Sequence, residues 1–441
     1  MQNTVNAVDK YRKLILSAER KIWSIAETGY KEFRTNEYLI KEFEKLGYTL
    51  TKAEDITGFY TVVDTGRPGP EVLILAELDS VICPSHKDAN PETGAVHSCG
   101  HNAQCATLLG IAAALTENEV TEKLCGRVRL CAVPAEELLE IEYRSRLKKE
   151  GKIKYYDGKS EFLHRGYFDN VDMAFMVHAS TNFYIGRGAV GCIAKSIIYK
   201  GVAAHAGGAP WDGKNALYAA NCGINAVNAI RETFKESDII RFHPIITSGG
   251  DMVNAIPETV RLESFVRGKS FEAIVDANKK VNMALIGAAI SLDTNIEIID
   301  IPGYAPLYND DGMMKIAEDA AAVIMPELNL KATEIVTSGS TDMGALSCIM
   351  PVVHPYAAGA KGKNHGDDYE IADSEKACVL NAKWQLAMLT LLLQDNAVRA
   401  KEILKTFKPM FSKEEYLRFV DSLNDSGNRI TYTERKAEIR L

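Results

Sequence analysis

The feature that most constrains the fold is an unbroken apolar run at residues 72–76, which follows a glycine- and proline-rich turn at 66–70. Such a run, bounded by turn residues, is typical of a strand buried on both faces in a sheet covered by helices. Residues 59–63 and 128–133 are predicted as further strands, and the small residues at 102–115 as a helix between them. This order predicts an α/β sheet with parallel character, in which functional side chains gather at the carboxyl ends of strands.

The pattern changes near residues 186–191. Strands are predicted at 193–199, 260–266 and 296–301, with helices at 215–230 and 271–290 between them. From about residue 306 the earlier alternation resumes. We therefore expect a discontinuous larger domain, residues 1–187 and 306–441, with a mixed, mostly parallel sheet flanked by helices, and a smaller α/β domain inserted at 188–305.

Composition excludes several classes of protein. The formal net charge of −8 and the absence of a long basic run argue against a nucleic-acid partner. No apolar stretch approaches the ~18 residues of a membrane span, and residues 1–6 lack the layout of a signal peptide. The nine cysteines are an odd number scattered over a long chain, so we expect reduced thiols and a cytoplasmic protein without membrane partners.

The most informative segment contains two imidazoles and a thiol just before the predicted helix at 102–115, namely His97, Cys99 and His101. These are soft metal ligands, and Gly100 lets the backbone bend so that its neighbours can converge. The positive end of the helix would favour a thiolate at Cys99. A buried or reactive cysteine beside surface histidines explains this segment, taken alone, equally well.

Three other segments offer ligands of the same kind. Glu136 and Glu137 follow the strand at 128–133, His178 ends an apolar run, and His365 lies in a polar loop. Adjacent carboxylates can divide their work, one binding metal and the other accepting a proton. Each segment also has a simpler explanation: a solvated glutamate pair, a structural histidine or a surface turn. The four segments together favour a metal site.

Six motifs, in this order along the chain, carry a resemblance to a known family. They are HSCGH at 97–101, PAEE at 134–137, VHA at 177–179, GVAAHAGGAPWDGKNAL at 201–217, SGSTDMG at 338–344 and HPYAAGAKGKNHGDDYE at 354–370. The chain resembles the dinuclear metallopeptidases and amidohydrolases that include aminoacylases, p-aminobenzoyl-glutamate hydrolases and indoleacetyl-amino-acid hydrolases.

The resemblance implies a catalytic domain with an inserted lid that also forms a homodimer. It implies two divalent metal ions per chain, with zinc or manganese expected and cobalt or nickel compatible with the same ligands. Glu136 would be the general base, Asp79 would orient a ligand, and His205 would stabilise the oxyanion in the partner subunit's site. The implied metal ligands are Cys99, His101, Glu137, His178 and His365. Asn254 and Arg267 match positions that contact a substrate carboxylate, although Arg267 could equally form a structural ion pair.

The sequence departs from its relatives beside the site. Asn102, Ala103 and Gln104 stand where relatives have Asp-Gly-His, and Glu77 stands where peptidase relatives have a histidine ligand. Glycines that commonly follow the glutamate pair are replaced by residues 138–140, and a charged stretch at 143–154 extends this loop. We expect hydrolysis of an N-acyl amino acid or short dipeptide. The alternatives are an aminobenzoyl-glutamate-like aryl amide substrate, or a non-catalytic metal-binding relative.

Overall fold

The computed structural model describes residues 2–432 and 436–441 of the chain. The chain forms two compact units. The first consists of Met1–Gly188, Leu307–Val336 and Thr341–Lys413, and the second of Ala189–Pro306, Thr337–Ser340 and Glu414–Leu441.

A six-stranded mixed sheet lies at the centre of the first unit. Its strands, in spatial order, are Thr51–Lys52, Phe59–Asp64, Arg127–Val133, Glu71–Glu77, Met173–Phe175 and Val352–Val353. The last four of these strands run parallel to one another, and the first two pair antiparallel. Every residue of Glu71–Glu77 is buried, which is why this strand appears in the sequence as a continuous apolar run.

Helices cover this sheet. The α-helices of the first unit are Gln2–Lys10, Arg12–Trp23, Phe33–Lys45, His101–Leu115, Asn118–Thr121, Ile141–Lys149, Gly158–His164, Asp311–Ile324, Met343–Ser347, Asn381–Leu393 and Val398–Thr406. His101–Leu115 is buried over its whole length and contacts both Glu71–Glu77 and Arg12–Trp23. Its alanines and glycine let these elements approach closely, so the residue that begins this helix, His101, is fixed within the core.

The parallel strands bring their carboxyl ends to one edge of the sheet. Glu77 is in register with Val133, and Phe175 with Val353. The segments that follow these strands therefore emerge side by side. Short strand pairs complete this edge: Val81–Ile82 with Ala95–Val96, His178–Ser180 with Tyr356–Ala358, and Ala360–Lys361 with Glu370–Ile371.

The second unit has an antiparallel sheet covered by two long helices. Its strands, in spatial order, are Arg241–Phe242, Thr259–Gly268, Gly191–Lys200, Asn295–Pro302 and Asp425–Asn428, and Ile245–Ser248 also pairs with Thr259–Gly268. The helices are Ala216–Ala229 and Phe271–Ser291, and the side chains of Asn215 and Ser270 cap their first turns. Buried residues alternate along Thr259–Gly268, as expected for a strand with one covered face.

The prediction of an α/β protein with a mostly parallel sheet is confirmed. In the structure, residues 414–441, assigned from the sequence to the larger domain, fall within the second compact unit. There Asp425–Asn428 pairs with the edge strand Asn295–Pro302. This polar tetrapeptide has no alternation of apolar residues from which a strand could be predicted. Its pairing depends on backbone hydrogen bonds to the neighbouring strand and not on its own side chains. Among the described residues, no helix is long and apolar enough to cross a membrane.

Candidate metal centre and active site

Cys99 and His101 lie where the chain enters the buried helix His101–Leu115. Gly100 precedes that helix with a φ of 90°, in the left-handed region, and a Cβ at this position would collide with the hydroxyl of Tyr369. Glycine is therefore required here, as the sequence indicated. The tight bend brings the neighbouring thiol and imidazole to the same side of the helix terminus.

Potential metal-ligating atoms of four chain segments converge at this point. Cys99, His101 and His178 form one group, and Cys99, Glu137 and His365 form a second. Within each group the ligand atoms lie within 4.8 Å of one another. Cys99 belongs to both groups, so its sulfur lies between two places suited to a cation. All five ligands expected from the resemblance are thus brought together.

Hydrogen bonds aim the two buried histidines into the site. Nδ1 of His101 lies 2.9 Å from the backbone oxygen of Asp79 and 3.2 Å from its Oδ1, which leaves Nε2 to face the cluster. Nδ1 of His178 lies 2.7 Å from the backbone oxygen of Ala179, and its Nε2 lies 3.5 Å from the sulfur of Cys99. Each ring has one nitrogen engaged by the fold and one directed at the site, which is the usual arrangement of metal-binding histidines.

The glutamate pair follows the strand Arg127–Val133 and a sharp bend. Ala135 has a φ of 57°, and the backbone N–H of Glu137 donates to Oδ2 of Asp79 at 2.8 Å. After this bend the two carboxylates separate. Glu137 Oε1 lies 3.0 Å from Nε2 of His365, whereas Glu136 Oε2 lies 3.9 Å from Nε2 of His101. Glu136 is thus beside the cluster and outside the two groups that share Cys99, and with Glu77 and His101 it forms a third group of potential ligands.

The side chains by themselves set very different proton affinities for these neighbours. Burial, followed by the charges of Glu77 and Glu137, raises the pKa of Glu136 well above its usual range. Burial also raises the pKa of Glu137, but the nearby His365 outweighs this and lowers it to about 2. Two adjacent carboxylates with opposite shifts are suited to different tasks, one as a proton acceptor and the other as a permanent anion.

The two histidines are shifted in opposite directions as well. Burial lowers the pKa of His101, but the carboxylates of Glu77 and Asp79 raise it to about 9. Burial and the proximity of His101 lower the pKa of His178 to about 4. A histidine held neutral has a free lone pair for a cation, whereas the carboxylates around His101 make this corner of the site strongly attractive to positive charge.

Sequence reasoning missed a buried ionic network next to His101. Nζ of Lys159 donates to Oε1 of Glu77 at 2.5 Å and also binds Asp342. Nε2 of Gln104 donates to Oε2 of Glu77 at 2.9 Å, and this same oxygen lies 3.2 Å from His101 Nε2. Glu77, left open by the sequence, is thus engaged through both oxygens. The partners of Glu77 are distant from it in sequence. The one indication available in the sequence was Lys159, a lysine on the apolar face of a helix, where an unpaired charge would be costly.

The remaining predicted site residues lie in the second unit. His205 is exposed, and its Nδ1 accepts hydrogen bonds from the backbone N–H groups of Gly207 at 3.2 Å and Gly208 at 2.8 Å. Asn254 is also exposed, and its backbone oxygen accepts from Ala206. Arg267 donates to the hydroxyl of Ser340 at 2.9 Å and forms no ion pair with any carboxylate of the described residues. The roles expected for these three side chains stay predictions.

The donor set fits divalent cations. Nε2 of His101 and Oε1 of Glu137 are buried and, despite their close neighbours, have no well-aligned hydrogen bond among the described residues, an arrangement that is costly unless a further partner is bound. Thiolate, imidazole and carboxylate together suit zinc and its neighbours in the first transition series. Clusters of this composition, with a further carboxylate beside them, at the ends of parallel strands are typical of metal-dependent hydrolases.

Comparison with known proteins agrees with this class. Residues 73–387 match the family described as peptidase family M20/M25/M40, and the chain belongs to this family. It is similar to the Xaa-Arg dipeptidase of Mus musculus, with 28% identity over 421 residues, 93% of this chain and 92% of the relative. It is also similar to one of the subunits of the p-aminobenzoyl-glutamate hydrolase of Escherichia coli, with 25% identity over 329 residues, 62% of this chain and 70% of the relative.

Solved structures share the fold. A dinuclear metal-binding peptidase of the M20 family from Bacillus subtilis superimposes with a TM-score of 0.64 and 18% identity, covering 88% of this chain and 100% of that one. An aminobenzoyl-glutamate utilization protein from Klebsiella pneumoniae gives a TM-score of 0.66 and 18% identity, covering 89% and 98%. The family and the amide-hydrolase class predicted from the sequence are therefore confirmed.

Proposed function

We propose that the protein is a two-metal amidohydrolase that cleaves a short dipeptide or an N-acyl amino acid. The observation that carries this proposal is the convergence of five ligand side chains into two groups that share the sulfur of Cys99. One group would hold a cation through His101 and His178, and the other through Glu137 and His365. Zinc or manganese fits these donors best, and cobalt or nickel is chemically compatible.

Bound cations would supply Lewis acidity, polarising the scissile carbonyl and acidifying a water molecule. Glu136 would do the proton transfer. Its carboxylate accepts a proton from the attacking water as the carbon–oxygen bond forms, and donates that proton to the amine nitrogen as the carbon–nitrogen bond breaks. The position of Oε2, 3.9 Å from Nε2 of His101, supports this role.

Asp79 would orient His101 and Glu137, one potential metal ligand from each group. Its backbone oxygen and Oδ1 both face Nδ1 of His101, while its Oδ2 accepts from the N–H of Glu137. One buried side chain thus connects a ligand from each group. Such supporting contacts typically change metal affinity or activity about 10–100-fold when they are removed.

The relatives support a substrate with a free carboxylate. An Xaa-Arg dipeptidase and a p-aminobenzoyl-glutamate hydrolase are both named for amides of amino acids. In the proposal, Arg267 and Asn254 bind the carboxylate of the released amino acid. The absence of an ion pair at Arg267 among the described residues supports a substrate role over the structural one. An aryl amide of glutamate is the second candidate substrate, which the chemistry of the site accommodates equally.

The inserted domain would act as a lid and dimerise, with His205 completing the partner's site. Several large apolar side chains of the second unit are exposed, as expected for a surface covered by another chain. They include Trp211, Tyr218, Ile245, Met252 and Val253. The hydrogen bonds to Nδ1 of His205 support its role, because they leave the proton on Nε2, where it can be donated to an oxyanion. None of the nine cysteines, all of which the structure describes, forms a disulfide, which supports a reducing, cytoplasmic setting.

The experiment is metal analysis followed by a hydrolysis panel. We expect close to two divalent ions per chain and turnover of at least one member of a panel of Xaa-Arg dipeptides, N-acetyl amino acids and p-aminobenzoyl-glutamate. Glu136→Gln should lower kcat by at least ~100-fold, whereas the exposed Glu122→Gln should not. Full activity of Glu136→Gln would refute the mechanism, and metal binding without any turnover would favour the non-catalytic alternative.

Mixing two inactive variants tests the partner's contribution. Glu136→Gln and His205→Ala protomers each lack one function, so their heterodimer should regain activity in one of its two sites. We expect sedimentation to show a dimer that Val253→Asp weakens. The absence of rescue in a confirmed heterodimer would remove His205 from the proposed mechanism.

A further inference from the structure

The segment that follows the glutamate pair contains a buried arginine, Arg144, which contacts the backbone on both sides of Glu136. Arg144, in the helix Ile141–Lys149, is 1% exposed. Its guanidinium donates to three backbone oxygens: those of Glu137, of Tyr156 at 2.5 Å and of Ala135 at 3.4 Å. No carboxylate among the described residues forms an ion pair with it. Two of these three oxygens, those of Ala135 and Glu137, belong to the residues on either side of the proposed general base.

These contacts enclose Glu136 from both sides. Arg144 holds the carbonyl of Ala135, which belongs to the peptide before Glu136, and the carbonyl of Glu137, which belongs to the second peptide after it. The peptide between the two glutamates is held by Asp79 through the N–H of Glu137. Every peptide plane around the proposed base thus has a buried partner, which restricts the direction of its side chain.

The bend itself needs such support. Ala135 has a φ of 57°, a conformation that is unfavourable for a residue other than glycine. Oε1 of Glu32 accepts from its N–H at 2.8 Å, and the N–H of Gly158 donates to its oxygen at 3.2 Å. A buried guanidinium that forms no ion pair also carries a desolvation cost. The strained bend lies immediately before Glu136, and the guanidinium of Arg144 contacts the carbonyl oxygen of Ala135.

Gly29 leaves the space that the guanidinium occupies. A Cβ on Gly29 would lie 2.5 Å from Nη2 of Arg144 and 2.9 Å from Cα of Ala135. These distances are shorter than any normal carbon contact, and the second involves backbone that has no alternative rotamer. A methyl group at this position would therefore displace the guanidinium, the bend or both, which offers a way to test the contact without changing Arg144.

We propose that Arg144 is a positioning residue that fixes the direction of Glu136 for proton transfer. The inference rests on the proposed function, since it assigns Arg144 a part in the same reaction. It predicts a loss in kcat with little change in KM, because the substrate is not touched. Binding of the metals is expected to persist, because Cys99, His101, His178 and His365 do not contact Arg144 and the N–H of Glu137 keeps its bond to Asp79.

The test uses Arg144→Lys, with Arg146→Lys on the exposed face of the same helix as its control. An ammonium cannot span three carbonyls as the planar guanidinium does, so we expect kcat to fall about 10–100-fold. Titration of the metal-free variant with Co²⁺ alone, followed by thiolate-to-cobalt absorption, should still reach the wild-type stoichiometry. A purely structural role would lower kcat and cobalt stoichiometry together, in proportion to the unfolded fraction, and would overturn the proposal.

Gly29→Ala provides an independent perturbation, with Gly287→Ala, where a Cβ meets nothing within 4 Å, as its control. We expect Gly29→Ala to reproduce the selective loss in kcat. Unchanged kcat, within about twofold, in folded Arg144→Lys and Gly29→Ala would overturn the inference. Its failure is distinguishable from that of the proposed function: in the first case the wild type hydrolyses substrate and Glu136→Gln does not, and in the second the wild type itself hydrolyses nothing.

Discussion

Lys159→Met removes the ammonium group that Glu77 and Asp342 share, while nearly preserving the volume of the side chain. All three side chains are at most 1% exposed, and Nζ lies 2.5 Å from Oε1 of Glu77. The variant therefore leaves two buried carboxylates without their cation and creates little cavity. The expected effect on stability is almost entirely electrostatic.

Its magnitude follows from the geometry. At 2.5 Å and an effective dielectric constant of about 20, one such pair attracts by roughly 6–7 kcal/mol before desolvation is subtracted. Removing one partner of a buried pair lowers the free energy of unfolding by about 3–5 kcal/mol, because the other charge stays buried. Burial raises the pKa of Glu77, but Lys159 and the nearby histidines outweigh this and lower it. Without Lys159, protonation of the two carboxylates should make the loss smaller at pH 5 than at pH 8.

The assay is urea unfolding followed by circular dichroism, with Lys200→Met as the matched control. Lys200 lies 2.6 Å from Glu297, but this pair is 40% and 27% exposed. Exposed pairs contribute about 0.2–1 kcal/mol, so the control should lose far less stability. Equal losses in the two variants, at equal slopes against urea, would refute the assignment of a buried, charge-dependent role to Lys159.

Two further predictions concern the same unit. Burial, and then the charge of Asp79, raises the pKa of Glu32 to about 8 from its ordinary 4.5. The contribution of Glu32 to stability is therefore complete below pH 4.5 and is lost as pH rises through 8. Thermal midpoints measured between pH 6 and 9 should fall less steeply for Glu32→Gln than for the wild type, and parallel curves would contradict this. Cys99→Ala should lose both metal ions, as measured by mass analysis, whereas His365→Ala should lose one. The reason is that the sulfur of Cys99 belongs to both ligand groups and His365 to one. Loss of the same number of ions in the two variants would contradict a shared thiolate.

The sequence predicted the parts of the site that depend on local pattern. Cys99, Gly100 and His101 are adjacent in the chain, and the strand before Glu136 and Glu137 can be recognised in the sequence from its run of apolar residues. Parallel strands place their ends together, so the convergence of these segments with His178 followed from the predicted sheet. The metal ligation and catalytic roles of these side chains stay predictions.

What the sequence could not predict depends on partners far apart in the chain. Lys159 and Asp342 are separated by 183 positions, and their pairing exists because helix packing excludes water around both. Arg144 belongs to a charged stretch that has the composition of a surface loop, yet tertiary packing buries its guanidinium under the glutamate pair. The strand Asp425–Asn428 likewise depends on a neighbouring edge and not on its own residues.

By itself, then, the sequence determined the family and the alternating α/β architecture, and it indicated the candidate ligands, because these are carried by local order and residue chemistry. Only the tertiary structure decided which charges are buried, which backbone carbonyls accept hydrogen bonds from Arg144, and to which unit the last residues of the chain belong. The physical reason is desolvation: a charged side chain has the same chemistry everywhere in a sequence, but its energy depends on the water that packing removes.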